Sequence, residues 1–211
     1  MTDYNSVYEN AQAHPEKFWA NAAAAVSWYK QPEKILDDSS PPFYKWFSDA
    51  TLNVCYNALD RHVEAGRGDR AALIFDSAMT GHQRTYTYTQ LRDEVALFAG
   101  VLKSCGVSKG DRVLIYMPMV AEAVIAMLAC ARLGAVHSVV FGGFAAKELA
   151  VRIDDAQPIV IIAASCGLEP GRIVSYKPLI DQALELSSHL VSTCVILQRD
   201  QLKADLQADR D

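Results

Sequence analysis

At 211 residues the chain is long enough to bury a substantial core without disulfides or metals, and a half-apolar, one-fifth-charged composition is that of a soluble globular protein. A formal charge of −5 excludes a general nucleic-acid surface, which is usually strongly basic, yet leaves room for a local basic pocket that takes one small anion. The five cysteines (Cys55, Cys105, Cys130, Cys166, Cys194) are odd in number and widely spaced, with no Cys-x-x-Cys pair, which points to a reducing compartment and away from zinc.

The N-terminus carries Asp3, Glu9 and Glu16 and no secretory-type apolar core, so it fits neither a signal peptide nor an Arg-rich transit sequence. To about Gly68 there is no strand-like alternation. His14-Pro15-Glu16 predicts a helix start with proline in its first turn. Pro41-Pro42 forbids helix in the aromatic stretch from Lys34 to Phe47. Asn53 predicts an N-cap for a helix through Tyr56, Leu59 and Val63 that ends at Gly66. All three tryptophans (Trp19, Trp28, Trp46) fall in this part, which is expected to pack as an appendage on the main body.

From Arg70 the pattern changes. Ala71 to Phe75 and Arg84 to Thr87 read as short strands around the Thr80-Gly81 turn. Thr87-Tyr88-Thr89-Gln90 matches a capping box, opening a helix with Leu91, Val95, Phe98 and Leu102 on one face and a stop at Gly106. Arg112–Met117 reads as a buried strand, Val120–Leu133 as a helix, and Val136–Phe141 as a second buried strand. Ala145–Ala156 is then helical, 159–163 a third strand, 177–187 a helix and 191–197 a fourth strand. Continuously apolar strands alternating with amphipathic helices give an α/β fold, a parallel sheet flanked by helices. The longest apolar region, Val113 to Phe144, is interrupted by Pro118, Glu122, Arg132 and His137, which is wrong for a membrane span.

Ligands of parallel α/β sheets bind beyond the carboxyl ends of the strands, and two segments stand there. Phe141-Gly142-Gly143-Phe144 joins a strand to a helix. Its glycines fit close approach by a ligand, or equally a tight turn with no ligand. Cys166-Gly167-Leu168-Glu169-Pro170-Gly171-Arg172 follows the third strand as a stiff loop ending in arginine, whose fork of donors matches phosphate; a solvated arginine on an ordinary loop fits as well. There is no G-x-G-x-x-G, P-loop, zinc-spaced His pair or G-x-S-x-G elbow. His62 is expected on a helix surface and His137 packed in a strand. Cys166 is expected in a loop and exposed, with no basic partner to activate it.

Several segments together carry a resemblance. They are Asn53–His62, Thr85–Leu91, Gly106–Val113, Tyr116–Met119 and, above all, Leu133–Phe144 (LGAVHSVVFGGF). On them the chain resembles the N-terminal part of AMP-forming short-chain acyl-CoA synthetases, the acetyl-CoA and propionyl-CoA synthetase group. The run Glu169–Arg172 with Ile173–Pro178 is more similar to the propionyl type: the acetyl type usually opens this loop with a second arginine, where this chain has Glu169.

The resemblance implies the first α/β subdomain of the adenylate-forming fold behind a mainly helical extension, with residues 1–68 as the extension and 69–211 as part of the AMP-binding domain. It implies that Gly143 lies near bound coenzyme A and that Glu169, Pro170, Gly171 and Arg172 line its nucleotide end, Arg172 being the cation for the 3′-phosphate. The family joins a short-chain carboxylate, ATP and coenzyme A with Mg²⁺, through an acyl-adenylate. The phosphate loop, later nucleotide motifs and catalytic lysine of that family are expected beyond Asp211. No catalytic or metal-binding residue is therefore assigned to this chain, which is expected to be an inactive fragment of a propionate–CoA ligase. An acetate–CoA ligase fragment and a non-catalytic coenzyme A or nucleotide-binding module are the alternatives. A cytoplasmic location is expected, with no nucleic-acid or membrane partner; the sequence does not set the oligomeric state.

Overall fold

The computed structural model describes residues 3–211, which divide into two units, one running to Asn57 and the other spanning Ala58–Asp211. In the first, α1 (Tyr4–Ala13) precedes α2 (Pro15–Ala23), whose first turn holds Pro15 as the sequence predicts. Helix α1 has no counterpart in the sequence reading, because it buries none of its residues and so shows no apolar stripe. Strands β1 (Leu36–Asp37) and β2 (Lys45–Trp46) pair antiparallel on either side of Pro41-Pro42. The tryptophans are tied locally: Trp28 Nε1 donates to the Ala23 carbonyl at 2.9 Å, and the Trp19 and Trp46 rings lie 6.2 Å apart. Asn53 caps as expected, its Oδ1 accepting from the Tyr56 amide at 2.9 Å. The turns that follow, Tyr56–Asp60 and Val63–Arg67, are π-helical rather than α-helical.

Past these turns, which lie mostly in the second unit, comes a hairpin of β3 (Ala71–Ser77) and β4 (His82–Thr87), longer than the short strands expected. Thr87 Oγ1 accepts from the Gln90 amide at 3.2 Å while Gln90 Oε1 accepts from the Thr87 amide at 2.9 Å. This capping box starts α3 (Tyr88–Ser104), which buries Leu91, Val95 and Leu102. Then follow β5 (Arg112–Met117), α4 (Ala121–Leu133), β6 (Val136–Phe141), α5 (Ala146–Ala156), β7 (Val160–Ala164), β8 (Cys166–Glu169), β9 (Arg172–Ser175), α6 (Lys177–Leu186) and β10 (Thr193–Leu197). The main sheet is parallel, in the order β10-β7-β5-β6. Helices α3 and α4 pack together, as do α5 and α6. The crossovers β5-α4-β6 and β6-α5-β7 run in opposite directions along the sheet, so right-handedness puts the two pairs on opposite faces.

Strands β5 and β7 are buried almost throughout, and Val113, Leu114, Ile115, Val160 and Ile161 form the core between the helix layers. Strand β6 corrects an expectation. It is apolar enough to read as buried, but it stands at a sheet edge with Val136, Val139 and Phe141 exposed. His137 is exposed with them rather than packed. The Cys166–Arg172 segment is a second correction. It is the antiparallel hairpin β8-β9, not a loop, because Pro170-Gly171 makes a two-residue turn with Gly171 at the left-handed φ of +78°. Cys166 is consequently buried.

A buried charge network secures the segment after β10. Lys177 Nζ lies 2.8 Å from Asp181 and 2.9 Å from Asp211, and Arg210 pairs with both carboxylates. The Cys194 amide donates to the Arg210 carbonyl at 2.8 Å, which joins this segment to the β10 edge. Burial alone would raise the Asp211 carboxyl's pKa; hydrogen bonds from Arg210, the Gln207 amide and Lys177 outweigh it and hold the group at about 2. Two outcomes follow, both read from urea unfolding. Lys177→Ala removes one of the two cations that hold the buried Asp211 carboxylate and leaves it Arg210 alone, which should cost about 1–3 kcal/mol, whereas Arg84→Ala, which breaks an exposed pair with Glu94, should cost under about 1 kcal/mol. With a depressed folded-state pKa, Asp211 contributes its stability above the ordinary carboxylate range and loses it as pH falls from ~4 through ~2, so Asp211→Asn should flatten stability across that window.

Candidate functional site

Strand β5 pairs with β6 on one side and β7 on the other, and the chain leaves β5 toward β6 but leaves β7 the opposite way, toward β10. Such a switch of direction opens a crevice at the carboxyl ends of the strands. A cavity of about 440 Å³ occupies it. Its walls come from Asp76–Met79 at the β3-β4 turn, Met117–Met119 after β5, Gly142 and Gly143 after β6, Leu168 and Glu169 on β8, Tyr176 and Arg199. The crevice thus brings Gly143 and Glu169 together. Pro170, Gly171 and Arg172 stand on the hairpin turn outside that lining.

The two glycines of the Phe141–Phe144 turn do different things. A Cβ on Gly142 would sit 2.6 Å from Tyr176 Oη and 2.9 Å from the Met117 carbonyl oxygen, so this glycine serves the packing of the strand ends. On Gly143 the nearest atom would be Cε1 of the Phe141 ring, at 3.0 Å, and the residue faces the cavity. Gly167 meets the same tyrosine: a Cβ there would lie 2.4–2.8 Å from the hydroxyl and ring of Tyr176. Tyr176 is therefore wedged between Gly142 and Gly167, with its ring centroid 4.9 Å from that of Tyr116. Tyr116 donates its hydroxyl to the Phe144 carbonyl at 2.8 Å, which steadies the turn. Burial pushes the Tyr116 phenol up to about 12.

Charge around the cavity is arranged in two tiers. Glu169 and Arg172 are cross-strand partners, with Arg172 Nε 2.7 Å and Nη2 2.6 Å from Glu169 Oε2. The Arg172 side chain is 69% exposed, so this pair belongs to the rim and is weak enough for a ligand anion to displace. Deeper, Arg199 is half-buried, and its Nη1 donates to the Cys166 carbonyl at 3.0 Å.

Other chemistry-bearing residues lie apart from the cavity. His62 is half-buried rather than on an open surface, its Nδ1 2.8 Å from Arg67 Nη2, and burial, then the arginine charge, lower its pKa. Burial pushes the Cys130 and Cys194 thiols up to about 11, away from nucleophilic use. Among the described residues no group of three His, Cys, Asp or Glu side chains is placed to hold a metal ion, and no helix is long and apolar enough to cross a membrane. A second concavity of about 450 Å³, between α3 and β10, is walled by Leu97, Val101, Ile162 and Val195, with Glu94 and Glu122 the charged groups in its lining. It lacks the convergent polar groups that orient a small ligand.

Comparison with known proteins gives two family matches. Residues 59–211 match the AMP-binding enzyme family, and residues 4–58 match the acetyl-coenzyme A synthetase N-terminus. The chain is 52% identical to acetyl-coenzyme A synthetase of Streptomyces coelicolor over 192 residues, covering 91% of this chain and 29% of that protein. It is 47% identical over 210 residues to the mitochondrial acyl-CoA synthetase short-chain family member 3 of Rattus norvegicus, covering 99% and 31%. Against propionate–CoA ligase of Escherichia coli it is 44% identical over 208 residues, covering 99% and 33%. The chain thus spans about a third of the length of the curated relatives it matches.

Sequence reasoning did not single out Tyr176 or Arg199. A signal for Arg199 exists in the order of elements, since it lies just past the carboxyl end of the fourth parallel strand, where ligand contacts collect. Tyr176 carries no such signal, because its role depends on glycines distant in the chain. That wedge is testable by urea unfolding. Gly167→Ala should destabilise by about 1–3 kcal/mol through overpacking against the ring, and the same change in a Tyr176→Leu background should cost clearly less.

Proposed function

The chain belongs to the AMP-binding enzyme family, and from that premise we propose that it is the coenzyme-facing N-terminal portion of a short-chain acyl-CoA synthetase acting on propionate. The reaction of the whole protein joins propionate, ATP and coenzyme A to give propionyl-CoA, AMP and pyrophosphate through an acyl-adenylate. The observation that carries this reading is the crevice at the β5 switch point, where Gly143 and Glu169 share one cavity with Arg172 on the adjoining turn. Gly143 leaves room for the coenzyme, and Pro170-Gly171 holds the hairpin that presents Arg172. A phosphate arriving at the rim takes the Arg172 fork from Glu169, a trade of one charge-assisted contact for another.

Magnesium belongs with the ATP phosphates in this reaction. Among the described residues no three His, Cys, Asp or Glu side chains gather into a metal site, and the part proposed for this chain is to bind and orient coenzyme. Propionate as the acid rests on Glu169, which stands where the acetyl type usually has arginine. The 52% identity to an acetyl-coenzyme A synthetase supports acetate as the second reading. The retained crevice alone also suits a non-catalytic coenzyme A or nucleotide-binding module. Five free cysteines suit the reducing environment of the cytoplasm.

Calorimetric titration with coenzyme A tests the site. Wild-type chain should bind, Gly143→Val should weaken binding at least about tenfold by filling the approach, and Arg172→Ala should weaken it several-fold. Glu169→Gln, which frees Arg172, should tighten it. No binding by wild type, or indifference to all three substitutions, would overturn the site. Acid-dependent ATP–pyrophosphate exchange by the protein as its cell makes it, with propionate against acetate, separates the two acids; no exchange with either favours the binding module.

A further inference from the structure

Arg199 is the charged group that neither the family resemblance nor the sequence patterns assign. It lies in the wall of the crevice, while the better-known candidate, Arg172, is on the rim and engaged by Glu169. Among the described residues Arg199 joins no ion pair, and its guanidinium donates one hydrogen bond, to the Cys166 carbonyl, which leaves the rest of its fork free. Beside it in the lining, the Tyr176 hydroxyl makes no hydrogen bond to any described residue. The two groups feel each other: burial raises the tyrosine's pKa, and the Arg199 charge is the first influence that opposes it.

The pair is also built to stay in place. Ser165, fully buried at the end of β7, accepts from the Arg199 amide through Oγ at 2.9 Å and from the Tyr176 amide through its carbonyl at 3.0 Å. Its own amide donates to the Leu197 carbonyl at 2.8 Å. One residue thus anchors both backbones and the end of β10. A half-buried arginine with an open fork, a free hydroxyl and a shared anchor make a preorganised donor set. The carboxylates in the same lining, Asp76 and Glu169, are occupied by Gln83 and Arg172 respectively.

We infer that Arg199 and Tyr176 form an inner anion-binding subsite that takes a phosphate or pyrophosphate group of the nucleotide-bearing ligand. The inference rests on the coenzyme reading of the crevice for the ligand's identity, but not for its charge. Arg172 then acts as the outer contact and Arg199 as the inner one.

Calorimetric titrations of the full chain with four probes test it: coenzyme A, 3′-dephospho-coenzyme A, adenosine 3′,5′-bisphosphate and inorganic pyrophosphate. Arg199→Gln should weaken coenzyme A at least about tenfold, more than Arg172→Ala does, and Tyr176→Phe should weaken it a few-fold. Loss confined to the probes with a 3′-phosphate puts that group on Arg199, whereas equal loss with the dephospho form puts the pyrophosphate there. Pyrophosphate binding that needs Arg199, without coenzyme A binding, upholds the subsite and overturns the coenzyme reading. Coenzyme A binding that is unchanged in Arg199→Gln overturns the subsite and leaves that reading standing. No binding of any probe overturns both. Should Arg199→Gln fail to fold, Arg199→Lys and the ¹⁵Nε signal of Arg199 in wild type decide: a signal unmoved by saturating ligand overturns the subsite.

Discussion

Strand β5 is hydrogen-bonded on both sides, to β6 through Arg112–Met117 and to β7 through Val113–Tyr116, and the rest of the second unit is arranged around that double pairing. Its neighbours are reached by crossovers in opposite directions, which places a helix layer on each face and leaves a gap where the strands end. The apolar faces of α3 and α4 on one side and α5 and α6 on the other exclude water from β5 and β7. Everything placed near Met117, Phe141 and Ala164 is therefore brought to one edge by backbone hydrogen bonds, before any side chain contributes.

Side chains then shape the gap. Tyr176 fills the space that Gly142 and Gly167 leave bare, and so locks the β6 turn and the β8-β9 hairpin to one ring. Ser165 fixes the tyrosine's backbone and that of Arg199. The result is a cavity whose polar groups sit on regular elements or on their first residues beyond, where positions vary little. Net negative charge on the whole chain is compatible with this, because one arginine and a hydroxyl line the cavity and a second arginine stands at its rim, while the carboxylates in the lining are already engaged.

The parallel sheet was legible because β5 and β7 are buried on both faces and give unbroken apolar runs, and because Thr87-x-x-Gln90 and Gly134 mark helix ends by local hydrogen bonding alone. Strand β6 has the same apolar look with a different fate: the sequence states which residues are apolar but not which strand falls at an edge. The β8-β9 hairpin was missed because only four residues pair on each side of Pro170-Gly171, too few for alternation to stand out. Gly143 and Glu169 could be placed at strand ends from pattern and resemblance. The partnership of Glu169 with Arg172, and that of Tyr176 with two glycines, depends on contacts that no local window contains.

Crystals of the 211-residue chain grown with coenzyme A test the account most directly. The account predicts electron density for the coenzyme's nucleotide in the crevice at the ends of β5, β6 and β7, against Gly143 and within reach of Arg172 and Arg199. Density in the apolar groove between α3 and β10 instead, with the crevice empty at saturating ligand, would contradict it.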